Sequence, residues 1–276
     1  MPIPACSKHL EPKITFRIIR RCNFDCPGCC TFSHIKRKGA VRLADFKRAI
    51  DILASCSFEG ILNISGGEPT FHKDLPSLIR YASEELPNAH IAVFTNGDWI
   101  GSRGWQRKLK SLFVGKNVLI RFSLDRQHAE GALLAVDGFV DGKRLEAVEN
   151  QRKQKARLFM DAMLSFEAVP GGNFDFAFKG SISEAGRYMA DIGDVPVYLI
   201  RFRADPANRP REYGFLAIDA QENGELLVYP TLGHIPSGEP LGGIEALLHA
   251  VELNRNALKE KDFIDEQHQW IKKNRN

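Results

Sequence analysis

Residues 13–29 read KITFRIIRRCNFDCPGC, and the organisation of the chain follows from this stretch. Lys13 to Arg20 reads as a strand, and it opens directly onto a loop with three cysteines at C-x3-C-x2-C spacing, Cys22, Cys26 and Cys29. Next, Leu43, Phe46, Ile50 and Leu53 form an apolar stripe at helical spacing, so Val41 to Ser57 is an amphipathic helix, with Gly60 where a stop is expected. Ile61 to Ile64 is a short apolar strand that ends in Ser65-Gly66-Gly67-Glu68-Pro69. Asp74 is placed to cap a further helix, with Pro76 in its first turn and Leu78, Ala82 and Leu86 on its buried side. His90 to Thr95 is a third strand, closed by Asn96-Gly97.

The alternation continues. A helix near Arg103 to Phe113, a strand at Asn117 to Leu124 and a long charged helix from about Arg144 to Leu164 follow. Strands at Phe174 to Phe178 and Val197 to Phe202 enclose a helix at Glu184 to Ile192. Strands alternating with helices imply parallel pairing through right-handed crossovers. Beyond residue 205 the pattern changes: Leu216 to Ile218 and Leu226 to Val228 flank Asn223-Gly224, a type I′ hairpin signal. Two amphipathic segments, one on Ile244, Leu247, Leu248 and Val251 and one around Phe263 to Ile271, close the chain. The expected fold is α/β: a partial (β/α)6 TIM-type barrel with a C-terminal hairpin-plus-helices extension. Its parts are an N-terminal segment (1–12), the partial barrel (13–205) and an extension (206–276) that caps it.

Bulk properties narrow the function classes. With 276 residues, 43% hydrophobic and 26% charged, the chain is neither disordered nor collagen-like. A formal charge of +4 is too mild to indicate nucleic acid, and no basic-aromatic interleaving supports it. No apolar run approaches the roughly 18 residues of a membrane span. MPIPACSKHLEPK has no apolar core, so no secretory signal is expected, and the localisation expected is cytoplasmic.

Cysteine usage says more. The six cysteines are Cys6, Cys22, Cys26, Cys29, Cys30 and Cys56, four of them within nine positions. A disulfide framework would spread its cysteines along the chain; a tight cluster points to a metal site. Three thiolates on one loop can hold three irons of a [4Fe–4S] cube and leave the fourth open to another molecule. A structural zinc held by Cys22, Cys26, Cys29 and His34 is the competing reading. The Ser65 to Pro69 turn sits at the C-terminal end of a strand, on the rim where barrel active sites assemble. Its glycines expose backbone N–H and C=O groups to a ligand, and Glu68 offers an acceptor to an ammonium group.

Over roughly Ile14 to Ala204 the sequence resembles the radical S-adenosylmethionine (radical SAM) superfamily. Cys22, Cys26 and Cys29 match its cluster motif, and Ser65, Gly66, Gly67, Glu68 and Pro69 match the turn whose backbone holds the methionine amino group. Ser123 and Asp125 look like its ribose-contacting positions, and Thr95 and Asn96 match a turn lining the same rim. Two departures stand out: Gly28 replaces an aromatic residue, and the adenine motif is matched only loosely by Phe178 to Ile182. The resemblance implies a [4Fe–4S] cluster and S-adenosylmethionine as cofactors, and an electron donor such as flavodoxin or ferredoxin. It also implies reductive cleavage of S-adenosylmethionine to a 5′-deoxyadenosyl radical that abstracts hydrogen from a peptide or an anionic small molecule. A catalytically silent relative acting as a partner protein is the remaining class.

Beyond these motifs the candidates thin out. Arg121 shares a strand face with Ser123 and Asp125, and Arg201 and Arg203 share a face of another strand; inward arginines would suit an anionic group. His128 is a candidate catalytic residue beside the rim. Arg144 to Lys155 reads as a solvated charged face, and Cys56 as a small buried hydrophobe. The run of the extension resembles the start of the SPASM extension of peptide-modifying relatives, but no cysteine after Cys56 is present to hold an auxiliary cluster.

Overall fold

In the computed structural model of the chain, the residues described are 13–27, 29, 31–112, 117–123, 126–165, 214–223, 225–232, 235–236 and 240–251. The expected segments at 174–178, 184–192, 197–202 and 263–271 lie outside them, as do Cys6, Gly28, Cys30, Asp125, Arg201 and Arg203.

Strand β1 (Lys13–Ile19) alternates strictly, and the alternation separates two environments. Ile14, Phe16 and Ile18 are buried against the helices; the Phe16 ring stacks on Phe46 of α1 (Leu43–Ser55) at 4.9 Å. Thr15 and Arg17 take the opposite face, and they too are buried. From β1 the chain passes through α1, β2 (Ile61–Gly66), a 3-10 turn at Pro69–Phe71, α2 (Leu75–Glu85), β3 (His90–Thr95), α3 (Trp105–Leu112) and β4 (Val118–Phe122). The pairs β1–β2, β2–β3 and β3–β4 are all parallel, as the strand–helix alternation requires. All four strands therefore deliver their carboxyl ends to one rim, where the cysteine loop, the Ser65 to Pro69 turn and Asn96 lie. Asp74 does stand at the start of α2, but its side chain makes no capping bond; its backbone N–H donates instead to His72 Nδ1 at 3.2 Å.

Two helices follow, α4 (Arg126–Asp137) and α5 (Gly142–Ser165), packed on each other through Ala129, Leu133 and Leu145. The hairpin signal corresponds to β5 (Gly214–Ala220) and β6 (Leu226–Leu232), which pair antiparallel from Leu216↔Pro230 to Ala220↔Leu226. The ladder stops at Ala220, so the connection spans residues 221–225 rather than a two-residue type I′ turn. Asn223 shapes it by accepting from the Glu225 N–H at 3.0 Å.

What the strand pattern could not indicate is where the hairpin goes: β5 runs parallel to β1 on its second edge. The order in the described residues is β4-β3-β2-β1-β5-β6-β7, with β7 at Ile235–Pro236, and β8 (Gly242–Gly243) also pairing β6. Arg17↔Ser65 and Arg17↔Asp219 register partners place these side chains in one row, on the face opposite Phe16. Arg20 Nη2 donates to Asp219 Oδ2 at 3.0 Å, and Arg17 Nη1 lies 3.8 Å from the same oxygen. A buried carboxylate shared by two guanidiniums thus locks β5 onto β1.

Candidate active site at the strand carboxyl ends

Three segments meet at the rim, and backbone hydrogen bonds fix their mutual position. Gly67 N–H donates to Ile19 O at 2.6 Å and Glu68 N–H to Arg21 O at 2.9 Å, so the turn after β2 is zipped to the start of the cysteine loop. Glycine is required there: Gly66 has φ of +126°, and a Cβ on Gly66 or Gly67 would come within 2.2 Å or 2.1 Å of the Ile19 and Arg21 carbonyl oxygens. The Gly67 N–H, expected to face a ligand, is therefore already taken by β1.

Glu68 differs from its expected role in a similar way. Its carboxylate is 2% exposed, and Oε1 accepts from Thr70 N–H (3.1 Å), Thr70 Oγ1 (2.7 Å) and Thr95 Oγ1 (2.8 Å). Oε2 accepts from Asn96 N–H at 2.8 Å. Burial pushes this carboxyl upward, and the hydrogen bonds from Asn96, Thr70 and Thr95 oppose it. Glu68 is thus a latch between the turn after β2 and the end of β3, with its oxygens turned toward the protein.

The cysteines are free thiols, with Cys22 buried and Cys26 and Cys29 half-buried. Backbone N–H groups aim at sulfur: Phe24 N–H donates to Cys22 Sγ and Ser33 N–H to Cys29 Sγ, both at 3.4 Å. Asn96 Nδ2 approaches Cys22 Sγ at 3.8 Å while donating to Asn23 Oδ1 at 2.8 Å. Burial pushes the Cys22 thiol up to about 11. Such a group becomes a thiolate when a metal compensates its charge. Cys26 touches α4: Asp25 N–H donates to Gly131 O at 2.9 Å, and a Cβ on Gly131 would sit 2.4 Å from Cys26 Sγ.

Among the described residues, no three His, Cys, Asp or Glu side chains gather closely enough for one metal ion. A single zinc needs its ligands around one point, whereas a cube spreads three thiolates over three irons. His34 Nδ1 accepts from Lys36 N–H at 3.3 Å, and its carbonyl oxygen from Cys22 N–H. The thiol set with its N–H···S bonds fits a cluster better than a Cys3His zinc.

Other expected residues are partly gathered. Thr95, Asn96 and Ser123 are buried at the rim, and Ser123 N–H donates to Thr95 O at 2.9 Å. Arg121 is buried over the Phe94 ring at 5.4 Å, in the same row as Ser65 and Arg17. His128 is half-buried in the first turn of α4, three residues before Gly131 and hence on the same helix side.

One expectation is overturned. The stretch Arg144 to Lys155 is not a solvated face throughout, because Arg152 is 4% exposed. Its Nη2 donates to Asn96 O at 3.2 Å and to Ser123 O, and its guanidinium lies 5.1 Å from the Phe24 ring centroid. Neither Arg152 nor Gly131 was marked by the motifs. The lone glycine within the helical segment RQHAEGALLAVD was the available signal for the second. The first had none.

Residues 16–137 match the model of the Radical SAM superfamily. The match covers less than half of the chain. Radical SAM proteins work with a [4Fe–4S] cluster and S-adenosylmethionine. The matched segment is similar to part of the Fe-coproporphyrin III synthase of Methanosarcina barkeri, with 39% identity over 107 residues, 38% of this chain and 26% of that protein. It is also similar to the S-adenosylmethionine-dependent nucleotide dehydratase of Selenomonas ruminantium, with 29% identity over 85 residues, 31% of this chain and 30% of that one. The matches thus span less than a third of these two curated relatives. Among solved structures, BtrN in complex with AdoMet and 2-DOIA aligns with 91% of this chain and 88% of its own, at 17% identity and a TM-score of 0.47. No helix among the described residues is long and apolar enough to cross a membrane.

Proposed function

We propose that this chain is a radical SAM enzyme in which Cys22, Cys26 and Cys29 hold the [4Fe–4S] cluster. The single observation that carries this reading is the convergence of the cysteine loop, the glycine turn and the β3 end. They are tied by Gly67 to Ile19, Glu68 to Arg21, and Asn96 to both Glu68 and Cys22. When bound, the cluster supplies one electron for cleavage of S-adenosylmethionine to a radical that abstracts hydrogen from a substrate. The chain's own part is orientation: Ser65 to Pro69, Thr95, Asn96, Ser123 and Asp125 are the S-adenosylmethionine positions, and Glu68 acts through Thr95 and Asn96. A carrier such as flavodoxin or ferredoxin supplies the electron.

The substrate is a peptide or an anionic small molecule. Relatives with printed activities include a PqqA peptide cyclase and the nucleotide dehydratase. Arg121, buried in one row with Ser65, supports an anionic group. Replacing Cys26 by Ala in anaerobically reconstituted protein should abolish 5′-deoxyadenosine formation. Cleavage that persists at the wild-type rate would sink the assignment.

A further inference from the structure

Arg152 has no place in the motifs, yet it is a guanidinium carried by α5 into the middle of the rim. Burying a charge is costly unless its donors are used and its surroundings are polarisable. Here Nη2 reaches the carbonyl oxygens that end two strands, Asn96 after β3 and Ser123 after β4. The planar group also lies over Phe24 of the cysteine loop at 5.1 Å and Phe122 of β4 at 5.8 Å. One side chain therefore bears on three rim segments.

Two of its contacts lead to the same atom. Asn96, whose carbonyl Arg152 holds, extends its side-chain amide to Cys22 Sγ at 3.8 Å. Phe24, whose ring Arg152 covers, donates its backbone N–H to Cys22 Sγ at 3.4 Å. Both donors aimed at this sulfur are thus held in place from one guanidinium. Lys155, three residues on, anchors the same stretch of helix by donating to Asp98 O and Oδ1, both at 2.7 Å. Asp98 in turn accepts from Asn23 Nδ2 of the cysteine loop at 2.9 Å, so Lys155 belongs to the same network, whereas Arg48 of α1 pairs with Glu245 at 3.2 Å on the surface.

We propose that Arg152 is a positioning residue that sets the electronic surroundings of Cys22, and through it the reduction potential of a cluster bound there. This rests on the function proposed above. Cluster potentials respond to nearby charge and to hydrogen bonds on the ligating sulfurs. Reduction adds one negative charge to the cluster, and a cation buried under the same rim favours the reduced state. Arg152 therefore raises the potential, and its Nη2 bond to Asn96 with its planar group over Phe24 keeps the two N–H···S donors aligned.

The test compares wild type, Arg152→Met, Arg152→Lys and Arg48→Met, each anaerobically reconstituted with iron and sulfide. Dithionite supplies the electron, and the readouts are an EPR-monitored redox titration and the g-values of the reduced cluster. Arg152→Met should shift the midpoint to more negative potential and alter the g-values. Arg152→Lys, which keeps charge and loses the planar group over Phe24 and Phe122, should hold the wild-type midpoint but still show altered g-values. Arg48→Met, which removes a surface cation away from the rim, should match wild type in both. A cluster in Arg152→Met with wild-type midpoint and g-values overturns the inference alone, as does an Arg152→Lys protein with unchanged g-values should the Met variant not fold. Wild-type protein that takes up no cluster overturns the inference together with the proposed function.

Discussion

Replacing Glu68 by Gln tests whether the latch under the rim is what holds β3 to the glycine turn. The substitution keeps size and shape and converts one oxygen to an NH2 group. With Oε1 preserved, the bonds from Thr70 N–H, Thr70 Oγ1 and Thr95 Oγ1 survive, and the NH2 group faces the Asn96 N–H in place of Oε2. The opposite amide orientation sets the NH2 group against the Thr70 N–H, the one fixed donor at Oε1, and makes the Thr70 and Thr95 hydroxyls turn to accept. The minimum loss is one hydrogen bond to a charged acceptor together with an unsatisfied buried N–H, about 2 kcal/mol. In a chain of this size that lowers Tm by roughly 4–8 °C. The assay is thermal unfolding followed by tryptophan fluorescence, because the Trp99 indole N–H donates at 2.9 Å to the same Thr95 hydroxyl that donates to Glu68. A shifted Trp99 emission in the folded protein should accompany the lower Tm. A Glu68→Gln protein with wild-type Tm and emission would refute the latch.

Three further outcomes follow from the packing. Gly131→Ala places a methyl 2.4 Å from Cys26 Sγ and 2.8 Å from the Cys26 backbone N, and both belong to the cysteine loop. Overpacking of this kind costs about 1–3 kcal/mol, and iron bound after reconstitution should fall well below wild type; equal iron content would contradict the contact. Asp219→Ala removes the carboxylate that Arg17 and Arg20 approach from β1. The expected loss is about 3–5 kcal/mol in urea unfolding, and a change under 1 kcal/mol would show that β5 is held to β1 by its backbone ladder alone. Gly66→Ala, at φ +126° with Ile19 O 2.2 Å from the new methyl, should be at least as damaging as the Gly131 change. Its urea midpoint decides this.

From residue 13 to 95 the architecture could be read almost directly. The strands, alternating in β1 and continuously apolar in β2, end at the cysteine loop or a glycine turn, and the helices between them carry apolar residues at 3 and 4 spacing; His90–Thr95 is the same strand by either route. Helix α4 escaped notice because its buried positions are Ala129, Gly131 and Leu133, too small a stripe to register as amphipathic. The β1–β5 pairing joins residues about two hundred apart, and local periodicity carries no information on which edge a strand takes. At the rim the structure gathers residues that carry a chemical signature in the sequence: the cysteines, the glycine turn, Thr95–Asn96 and Ser123. The roles of Glu68 and Arg152 were not legible there, because a carboxylate turned inward and an arginine turned under a rim look in sequence like any exposed charge.

The central claim meets its most direct test in a single anaerobic sample, reconstituted with iron and sulfide and then reduced in the presence of S-adenosylmethionine. The account predicts about four irons per chain, a brown protein, and formation of 5′-deoxyadenosine. A colourless protein that holds one zinc and leaves S-adenosylmethionine intact would contradict it.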